Sequence, residues 1–173
     1  MLYARPTNPR FASKDMNAAI EETLKLSENL IEQNHISLYK TLEPGLPSVL
    51  ADSTQVKQVF MNLIINAIEA MPAGGTLSIR TYLDRVTMPN QEGSSDSPSI
   101  VIEFSDTGKG IQGEHLEKIF DPFYTTKEKG SGLGLSISQG IIERHNGRIF
   151  IKSQEGRGSV FRIVMPVQGV VGR

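Results

Sequence analysis

The sequence predicts an α+β two-layer sandwich, with about three helices on one face of a mixed, mainly antiparallel sheet of about five strands. Long segments repeat apolar residues at helical spacing, and five short segments have the alternating or continuous apolar character of strands. The last two strand segments are separated by four residues, 154–157. This short separation favours a hairpin, and therefore antiparallel pairing, at the end of the chain.

Composition limits the classes of function. The chain has 173 residues, a formal net charge of −1 and no cysteine, which predicts one domain without a disulfide framework or thiolate chemistry. A charge near zero gives no support for a nucleic-acid partner or for direct membrane contact. No apolar run approaches the ~18 residues of a membrane span, and no signal peptide opens the chain. We expect a soluble, cytoplasmic domain, and leave open whether the parent protein is anchored in a membrane.

The N-terminal part is predicted to contain a linker, a helix and a strand. Residues 1–14 hold two prolines and no apolar period, so we expect a linker or the frayed end of a preceding segment. Residues 15–34 have the period of an amphipathic helix, and residues 36–42 alternate like a strand. The domain proper is predicted over residues 15–167, and residues 168–173 are expected to be a loose tail.

A second helix is predicted from residue 53 to residue 71, with Asp52 or Ser53 as its N-cap. Apolar side chains cover nearly its whole circumference, which indicates a buried helix whose remaining polar lane faces a site. Asn62 and Asn66 are four residues apart in that lane and project from the same side. Their amide oxygens suit Mg²⁺, although two asparagines that cap neighbouring loops remain an open interpretation at this point.

The second half of the chain is predicted to complete the sheet. One strand delivers Asp106 at its end, and a Gly-rich segment leads directly into the last helix. The predicted elements are a strand at 76–82, a loop at 84–98, a strand at 99–105, a helical turn at 115–119, a helix at 135–145, and strands at 148–153 and 158–165.

Two Gly-rich motifs indicate a nucleotide site. Asp106-Thr-Gly108-Lys-Gly110 follows a strand, where a carboxylate can accept a hydrogen bond from the adenine amine and the glycines permit close approach. Residues 108–113 also read G-x-G-x-x-G, which is the dinucleotide-binding fingerprint. That fingerprint requires a helix that opens at these glycines within a βαβ unit, and the sequence here predicts only a short helical turn after them. An ordinary strand-ending turn remains an alternative for this motif alone.

The second motif, Gly130-Ser-Gly132-Leu-Gly134-Leu135, runs into the last helix and predicts an anion site made by backbone amides. Residues 127–132, called the lid below, are expected to order over a triphosphate, with Lys127 or Lys129 supplying charge. A flexible surface loop is the alternative. Phe120 and Phe123 are expected to anchor the root of the lid in the core.

Taken together, these motifs resemble the GHKL superfamily (gyrase, chaperone, histidine kinase, MutL), and within it the catalytic ATP-binding domain of sensor histidine kinases. The resemblance implies the Bergerat-type ATP-binding fold and covers nearly the whole chain, from about residue 15 to residue 166. Its subgroup is similar to nitrogen-regulation and sporulation kinases. The matching segments are the asparagine box from Asn62, the first glycine box from Asp106, the phenylalanine box Phe120-Asp-Pro-Phe123, the second glycine box from Gly130, and the closing hairpin Gly156-Arg-Gly158-Ser159.

The resemblance also implies roles for individual residues. Asp106 would bind the adenine amine, and Asn66 would hold Mg²⁺ against the phosphates. Asn62 and Lys127 would assist the reaction, and Ser159 would reach adenine through a water molecule. The further ATP-binding residues that it implies are Gly108, Gly110, Ile111, Lys129, Gly130, Gly132, Leu133, Gly134 and Leu135.

Two positions depart from related proteins. Many members of the family place a lysine where this sequence has Glu69, so Lys127 or Lys129 would have to supply the charge that binds phosphate. Superfamily ATPases carry a glutamate as general base at the position of Asn62, and an asparagine has no such base at neutral pH. Hydrolysis is therefore disfavoured, and transfer to a protein side chain is favoured.

The resemblance implies a two-component protein-histidine kinase that uses ATP and Mg²⁺. None of His35, His115 and His145 is followed by an acid, so the acceptor histidine is expected on a dimerisation domain upstream, of which residues 2–6 resemble the end. A response regulator would act downstream. The alternatives are an anti-sigma-type serine protein kinase, which uses the same pocket, and a degenerate domain that only binds partners.

Overall fold

The computed structural model describes residues 9–86, 97–128 and 130–167. The elements are named in chain order. They are β1 (Ala12–Lys14), α1 (Met16–Gln33), β2 (Ile36–Leu42), β3 (Val49–Ala51), α2 (Ser53–Ala70), β4 (Gly75–Val86), β5 (Ser97–Asp106), α3 (Gly113–Leu116), α4 (Gly134–Arg144), β6 (Arg148–Gln154) and β7 (Gly158–Pro166). None of the helices in this part of the chain combines the length and hydropathy that a bilayer crossing requires.

The main sheet has five strands in the order β2-β4-β5-β7-β6. β2 pairs with β4 in parallel, and the other three pairings are antiparallel. A parallel pair needs a crossover connection, and α2 lies in the connection between these two strands. The helices pack on one face, so the predicted fold class is confirmed.

α2 is the central helix of the helical layer. It packs against both α1 and α4 and against the sheet, where the Phe60 ring lies 5.6 Å from that of Phe104 on β5. Leu63 and Ile64, like Phe60, are almost fully buried. Truncating one such aromatic side chain to alanine typically costs about 3–5 kcal/mol. The burial predicted for this helix is therefore observed, and its polar lane is the part that packing leaves available.

Aspartates cap both long helices. The carboxylate of Asp15 accepts from the amides of Asn17 and Ala18 at the start of α1. Asp52 accepts from the amides of Thr54 and Gln55, which makes it, rather than Ser53, the N-cap of α2. Such a cap is worth about 1 kcal/mol, because it satisfies amides that have no partner within the helix.

The structure corrects the predicted linker over residues 1–14 at its C-terminal end. β1 forms a two-stranded antiparallel sheet with β3, an element that the sequence analysis missed. The Arg10 amide also donates to the carboxylate of Asp52, at 2.7 Å. Strands of three residues are too short to show a period in the sequence, so pattern alone could not reveal this pairing. Residues 1–8 and the predicted tail of residues 168–173 lie outside the described residues.

The predicted loop over residues 84–98 is shorter than expected. The β4–β5 ladder continues through Asp84 opposite Ser99 and reaches Val86 opposite Ser97. An ion pair between Asp84 and Arg162 of β7, at 3.4 Å, supports this extension across the sheet. Residues 87–96 lie outside the described residues.

Candidate functional site

A cavity of about 820 Å³ opens between α2, the end of β5, the lid and the β6–β7 hairpin. This volume is in the range of small-molecule and cofactor sites. Gly108 and Leu133 are not part of its wall, and Lys129 lies outside the described residues. The predicted site residues on the wall are Asn62, Asn66, Asp106, Gly110, Ile111, Lys127, Gly130, Gly132, Gly134, Leu135 and Ser159.

Asp106 is the buried carboxylate of the cavity. Its side chain accepts hydrogen bonds from the amides of Gly108, at 2.9 Å, and Ser159. Burial raises the pKa of Asp106 above its ordinary value, although both hydrogen bonds act in the opposite direction. A carboxylate has about four acceptor positions, so two amide donors leave capacity for an amine on a ligand.

Backbone contacts hold this purine end of the site, which we define as residues 106–111 and 153–159. A Cβ atom on Gly110 would lie 2.0 Å from the carbonyl oxygen of Gln154, and one on Gly158 would lie 1.9 Å from that of Asp106. The Gly156 amide donates to the carbonyl of Lys109, at 2.7 Å. The two segments are therefore in direct main-chain contact, which side chains at these glycines would prevent.

Ser153 connects the same two segments and was missed by the sequence analysis. Its hydroxyl accepts from the Ile111 amide at 2.8 Å and donates to the carbonyl of Gly158 at 3.0 Å. The Ser159 hydroxyl lies 2.8 Å from it and can donate to its remaining lone pair. A serine in a strand carries no sequence signal for this role, because the role depends on the register of the hairpin.

The polar lane of α2 forms the opposite, phosphate end of the cavity together with the lid. Asn62 donates to the hydroxyl of Ser138 on α4, at 2.9 Å. A Cβ on Gly134 would lie 2.5 Å from Oδ1 of Asn62, so a side chain at the first residue of α4 would displace the Asn62 amide. Asn66 accepts from the Lys127 ammonium at 3.1 Å, and Glu69 forms an ion pair with the same ammonium.

The N-terminus of α4 faces this end of the cavity through Gly134 and Leu135. The N-cap residue of α4 is Leu133, whose apolar side chain makes no capping hydrogen bond to the first turn of the helix. Amides at an uncapped helix N-terminus attract anions, since they are free donors at the positive end of the helix dipole. The arrangement can therefore bind phosphate oxygens.

The root of the lid differs from the prediction that both phenylalanines anchor it. Phe120 is half-buried and packs against the core, but Phe123 is 75% exposed, so the prediction is wrong for Phe123. Phe123 adopts a left-handed backbone conformation, with φ 67°, and its amide donates to the carbonyl of Gly132. Tyr124 takes the inward position instead, and its hydroxyl lies 2.5 Å from Nδ1 of His115.

The chemistry of the phosphate end fits a hard divalent cation. Asn66 offers an amide oxygen and Glu69 a carboxylate oxygen, and Mg²⁺ prefers oxygen ligands that it shares with nucleotide phosphates. The cavity is also lined by apolar side chains, against which a flat ring can lie. They are Ile65, Ile111 and Leu135. The cavity can therefore hold an adenine ring, a phosphate chain and a cation at once.

The sequence is similar to a family of ATP-binding proteins and to curated kinases. A family described as "Histidine kinase-, DNA gyrase B-, and HSP90-like ATPase" matches residues 51–169. Among curated proteins, sporulation kinase E of Bacillus subtilis (strain 168) is 33% identical over 168 residues, which are 97% of this chain and 21% of that protein. Sensor histidine kinase ZraS of Escherichia coli (strain K12) is 35% identical over 163 residues, 94% of this chain and 32% of that protein. The chain thus spans about a fifth to a third of these relatives.

Solved structures agree with these relatives. The catalytic domain of histidine kinase ThkA, in a nucleotide-free form, is 35% identical and superposes with a TM-score of 0.74 over 91% of this chain and 95% of that domain. ThkA in complex with the response regulator protein TrrA is 33% identical, with a TM-score of 0.71 over 90% of this chain and 41% of that one.

Proposed function

The chain belongs to the histidine kinase-, DNA gyrase B- and HSP90-like ATPase family, and on that basis we propose that it is the catalytic domain of a two-component sensor histidine kinase. Within the parent protein, it would transfer the γ-phosphoryl group of ATP to a histidine on a dimerisation domain. The observation that supports this proposal best is the convergence of Asp106, Asn66, Lys127 and the N-terminus of α4 on one cavity.

Adenine recognition is assigned to the purine end. Asp106 accepts from the exocyclic amine, while Gly108 and Ser159 hold its carboxylate in place through their amides. Gly110 and Ile111 line the ring, and the Ser159 hydroxyl is available to a bridging water. Guanine carries a carbonyl oxygen where adenine carries the amine, so it would meet Asp106 as acceptor against acceptor. The site therefore favours adenine nucleotides.

Phosphate binding is assigned to the opposite end. Asn66 would hold Mg²⁺, and the ion when bound would supply positive charge that offsets the negative charge of the phosphates. Lys127 and the amides of the second glycine box, from Gly130 to Leu135, bind the phosphate chain. Asn62 positions these amides through its contacts with Ser138 and Gly134. These groups orient the γ-phosphoryl for in-line attack.

We infer that transfer is favoured over hydrolysis, because an amide fills the position at which superfamily ATPases carry their general base. Asn62 stands where a carboxylate would deprotonate a water molecule. Two of the three histidines are engaged in contacts within the chain: His145 is buried with both ring nitrogens hydrogen-bonded, and His115 bonds Tyr124. An acceptor histidine on a separate dimerisation domain completes the reaction.

A response regulator would act downstream of this domain. The ThkA–TrrA complex shows a similar kinase with a response regulator, which supports a response regulator as the next acceptor here. The reaction requires ATP, and we place it in the cytoplasm for that reason.

The test is a pair of measurements. Calorimetric titration with a non-hydrolysable ATP analogue and Mg²⁺ should give a micromolar Kd for this chain, and no binding at millimolar analogue would contradict the proposal. The parent protein, incubated with γ-labelled ATP, should then acquire an acid-labile, alkali-stable label, as expected for phosphohistidine. An acid-stable label would instead indicate a serine kinase of the same superfamily.

A further inference from the structure

The Lys127 side chain lies between two oxygen-bearing side chains of α2. Its ammonium nitrogen is 3.1 Å from Oδ1 of Asn66 and pairs with the carboxylate of Glu69. These two α2 residues are three apart, so they share one side of the helix. The Lys127 ammonium therefore occupies a cation position between the amide oxygen of Asn66 and the carboxylate of Glu69.

The same pair of oxygens suits a divalent cation. Mg²⁺ is commonly bound by one or two protein oxygens together with substrate phosphates, and it keeps several waters. The carboxylate of Glu69 is half-exposed on the cavity wall, so it can turn towards a cation without a change in the core. Glu69 adds a negative charge at this end of the cavity.

We propose that Asn66 and Glu69 form one cation site with two alternative occupants. The Lys127 ammonium fills the site when the cavity holds no nucleotide, and Mg²⁺ fills it when nucleotide is bound. This inference rests on the proposed function, since it concerns the metal of the same ATP site. It makes Glu69 a second protein ligand of the metal, and it makes Lys127 a group that changes partners from Glu69 to phosphate.

Charge balance favours this exchange. Without nucleotide, Lys127 neutralises Glu69. A triphosphate attracts Lys127, but the movement of Lys127 alone would leave the Glu69 carboxylate unpaired beside several phosphate charges. A divalent cation between Glu69, Asn66 and the phosphates removes that repulsion. Metal entry and lysine release therefore favour each other, and the coupling is reciprocal.

The lid lets the ammonium move without a large rearrangement. The backbone of Lys127 is held locally, since its amide donates to the hydroxyl of Thr125 at 3.1 Å and its carbonyl accepts from the Gly130 amide at 3.3 Å. The long side chain reaches α2 from this fixed turn and is 38% exposed. Rotation of the side chain is enough to carry the ammonium from the helix towards the cavity.

The first experiment measures how strongly metal and nucleotide favour each other. The Kd of a non-hydrolysable ATP analogue is determined in EDTA and in saturating Mg²⁺, and the ratio of the two values is the metal enhancement. Glu69→Gln should lower this enhancement about tenfold. Glu155→Gln is the matched control, because Glu155 is a cavity carboxylate that bonds Gln112, and it should keep the enhancement. An enhancement in Glu69→Gln within twofold of the unsubstituted chain overturns the inference.

The second experiment needs no nucleotide. Binding of Mn²⁺ to the nucleotide-free chain is followed by loss of the free Mn²⁺ signal in electron paramagnetic resonance. Lys127→Met should tighten Mn²⁺ binding about tenfold, because no ammonium has to leave, and adding Glu69→Gln to it should remove the gain. Lys109→Met, at another cavity lysine, should have no such effect. Unchanged Mn²⁺ affinity in Lys127→Met contradicts the exchange.

Failure of the shared cation site and failure of the proposed function give different results. If the unsubstituted chain fails to bind the analogue with or without Mg²⁺, the proposed function fails, while the Mn²⁺ measurement still decides whether Lys127 and the metal compete. If the analogue binds and Glu69→Gln leaves the enhancement intact, the proposed function stands and the inference alone fails.

Discussion

The two ends of the cavity are built in different ways. At the purine end, main-chain atoms of residues 106–111 and 153–159 touch each other, and Asp106 is buried among them. At the phosphate end, side chains make the contacts between the lid and α2, with the partly exposed Lys127 bonded to Glu69 and Asn66. Within the lid, Gly132 packs against the backbone of Phe123, so main-chain contact holds the C-terminal end of the lid.

This difference separates recognition from chemistry. Backbone packing fixes a carboxylate within a narrow geometry, which suits the selection of one base. Side-chain contacts across a solvent-exposed gap can break and re-form without unfolding the core, which suits groups that must follow a phosphate and a metal. Substitutions at the two ends should therefore have effects of different kinds and sizes.

The largest effect is expected from Gly158→Ala. Its Cβ would lie 1.9 Å from the carbonyl oxygen of Asp106, in a backbone with φ 93°. We expect a loss of about 3 kcal/mol or more in the free energy of unfolding, because strain and main-chain displacement add. Urea unfolding measures the loss. Gly156→Ala is the matched control: its φ is 76° but the space around it is open, so it should cost about 1–2 kcal/mol. Equal losses would contradict main-chain packing as the cause.

The next effect concerns binding. Asp106→Asn replaces the acceptor of the adenine amine by an amide and should weaken binding of an ATP analogue more than tenfold, which corresponds to at least about 1.4 kcal/mol. The loss should be the same in EDTA and in Mg²⁺, because this end of the cavity does not hold the metal. Calorimetry in both buffers measures it, with the exposed Asp121→Asn as control. Unchanged affinity would remove the assignment of Asp106.

The same substitution should raise stability. Burial raises the pKa of Asp106, so the native state binds a proton more readily than the unfolded chain, and the ionised group opposes folding at neutral pH. Asp106→Asn removes this charge and should raise Tm at pH 7 by on the order of a few degrees. The difference should shrink as pH falls through the raised pKa, where the native carboxyl is protonated. A difference in Tm that grows on acidification would contradict this expectation.

The smallest effect is expected in the lid. A Cβ on Gly130 would meet the hydroxyl of Thr125, an exposed side chain that can rotate away at the cost of the hydrogen bond it accepts from the Lys127 amide. Gly130→Ala should therefore change the free energy of unfolding by about 1 kcal/mol or less. Urea unfolding beside Gly158→Ala tests it. A loss as large as that of Gly158→Ala would show that the lid is packed like the purine end, and the contrast between the two ends would be lost.

Most of the fold could be predicted from the sequence, because the long elements repeat apolar residues with a strong period. α1, α2 and the strands of the main sheet follow from apolar spacing, and α2 shows its buried character in its composition. The strands β1 and β3 could not be found, since three residues make no period and their pairing joins segments far apart in the chain.

The site shows a similar limit. Each motif is local in the sequence, and their resemblance to one family predicted that Asp106, Asn66 and Lys127 meet at one site, and all three line one cavity. The Ser153 bonds, the pairing of Lys127 with Glu69 and the outward direction of Phe123 depend on register and on distant contacts. No local pattern encodes those, so the structure was needed to find them.

The short β1–β3 ladder has a mechanical consequence. β3 leads directly into Asp52, which caps α2 while its carboxylate also accepts from the Arg10 amide, and the Phe11 ring packs on His145 just beyond α4. Residues 10–14 are thus bound to the N-terminal end of α2, the helix that carries Asn62 and Asn66. A displacement of this segment would therefore act on the N-terminal end of α2, the helix whose polar lane lines the cavity.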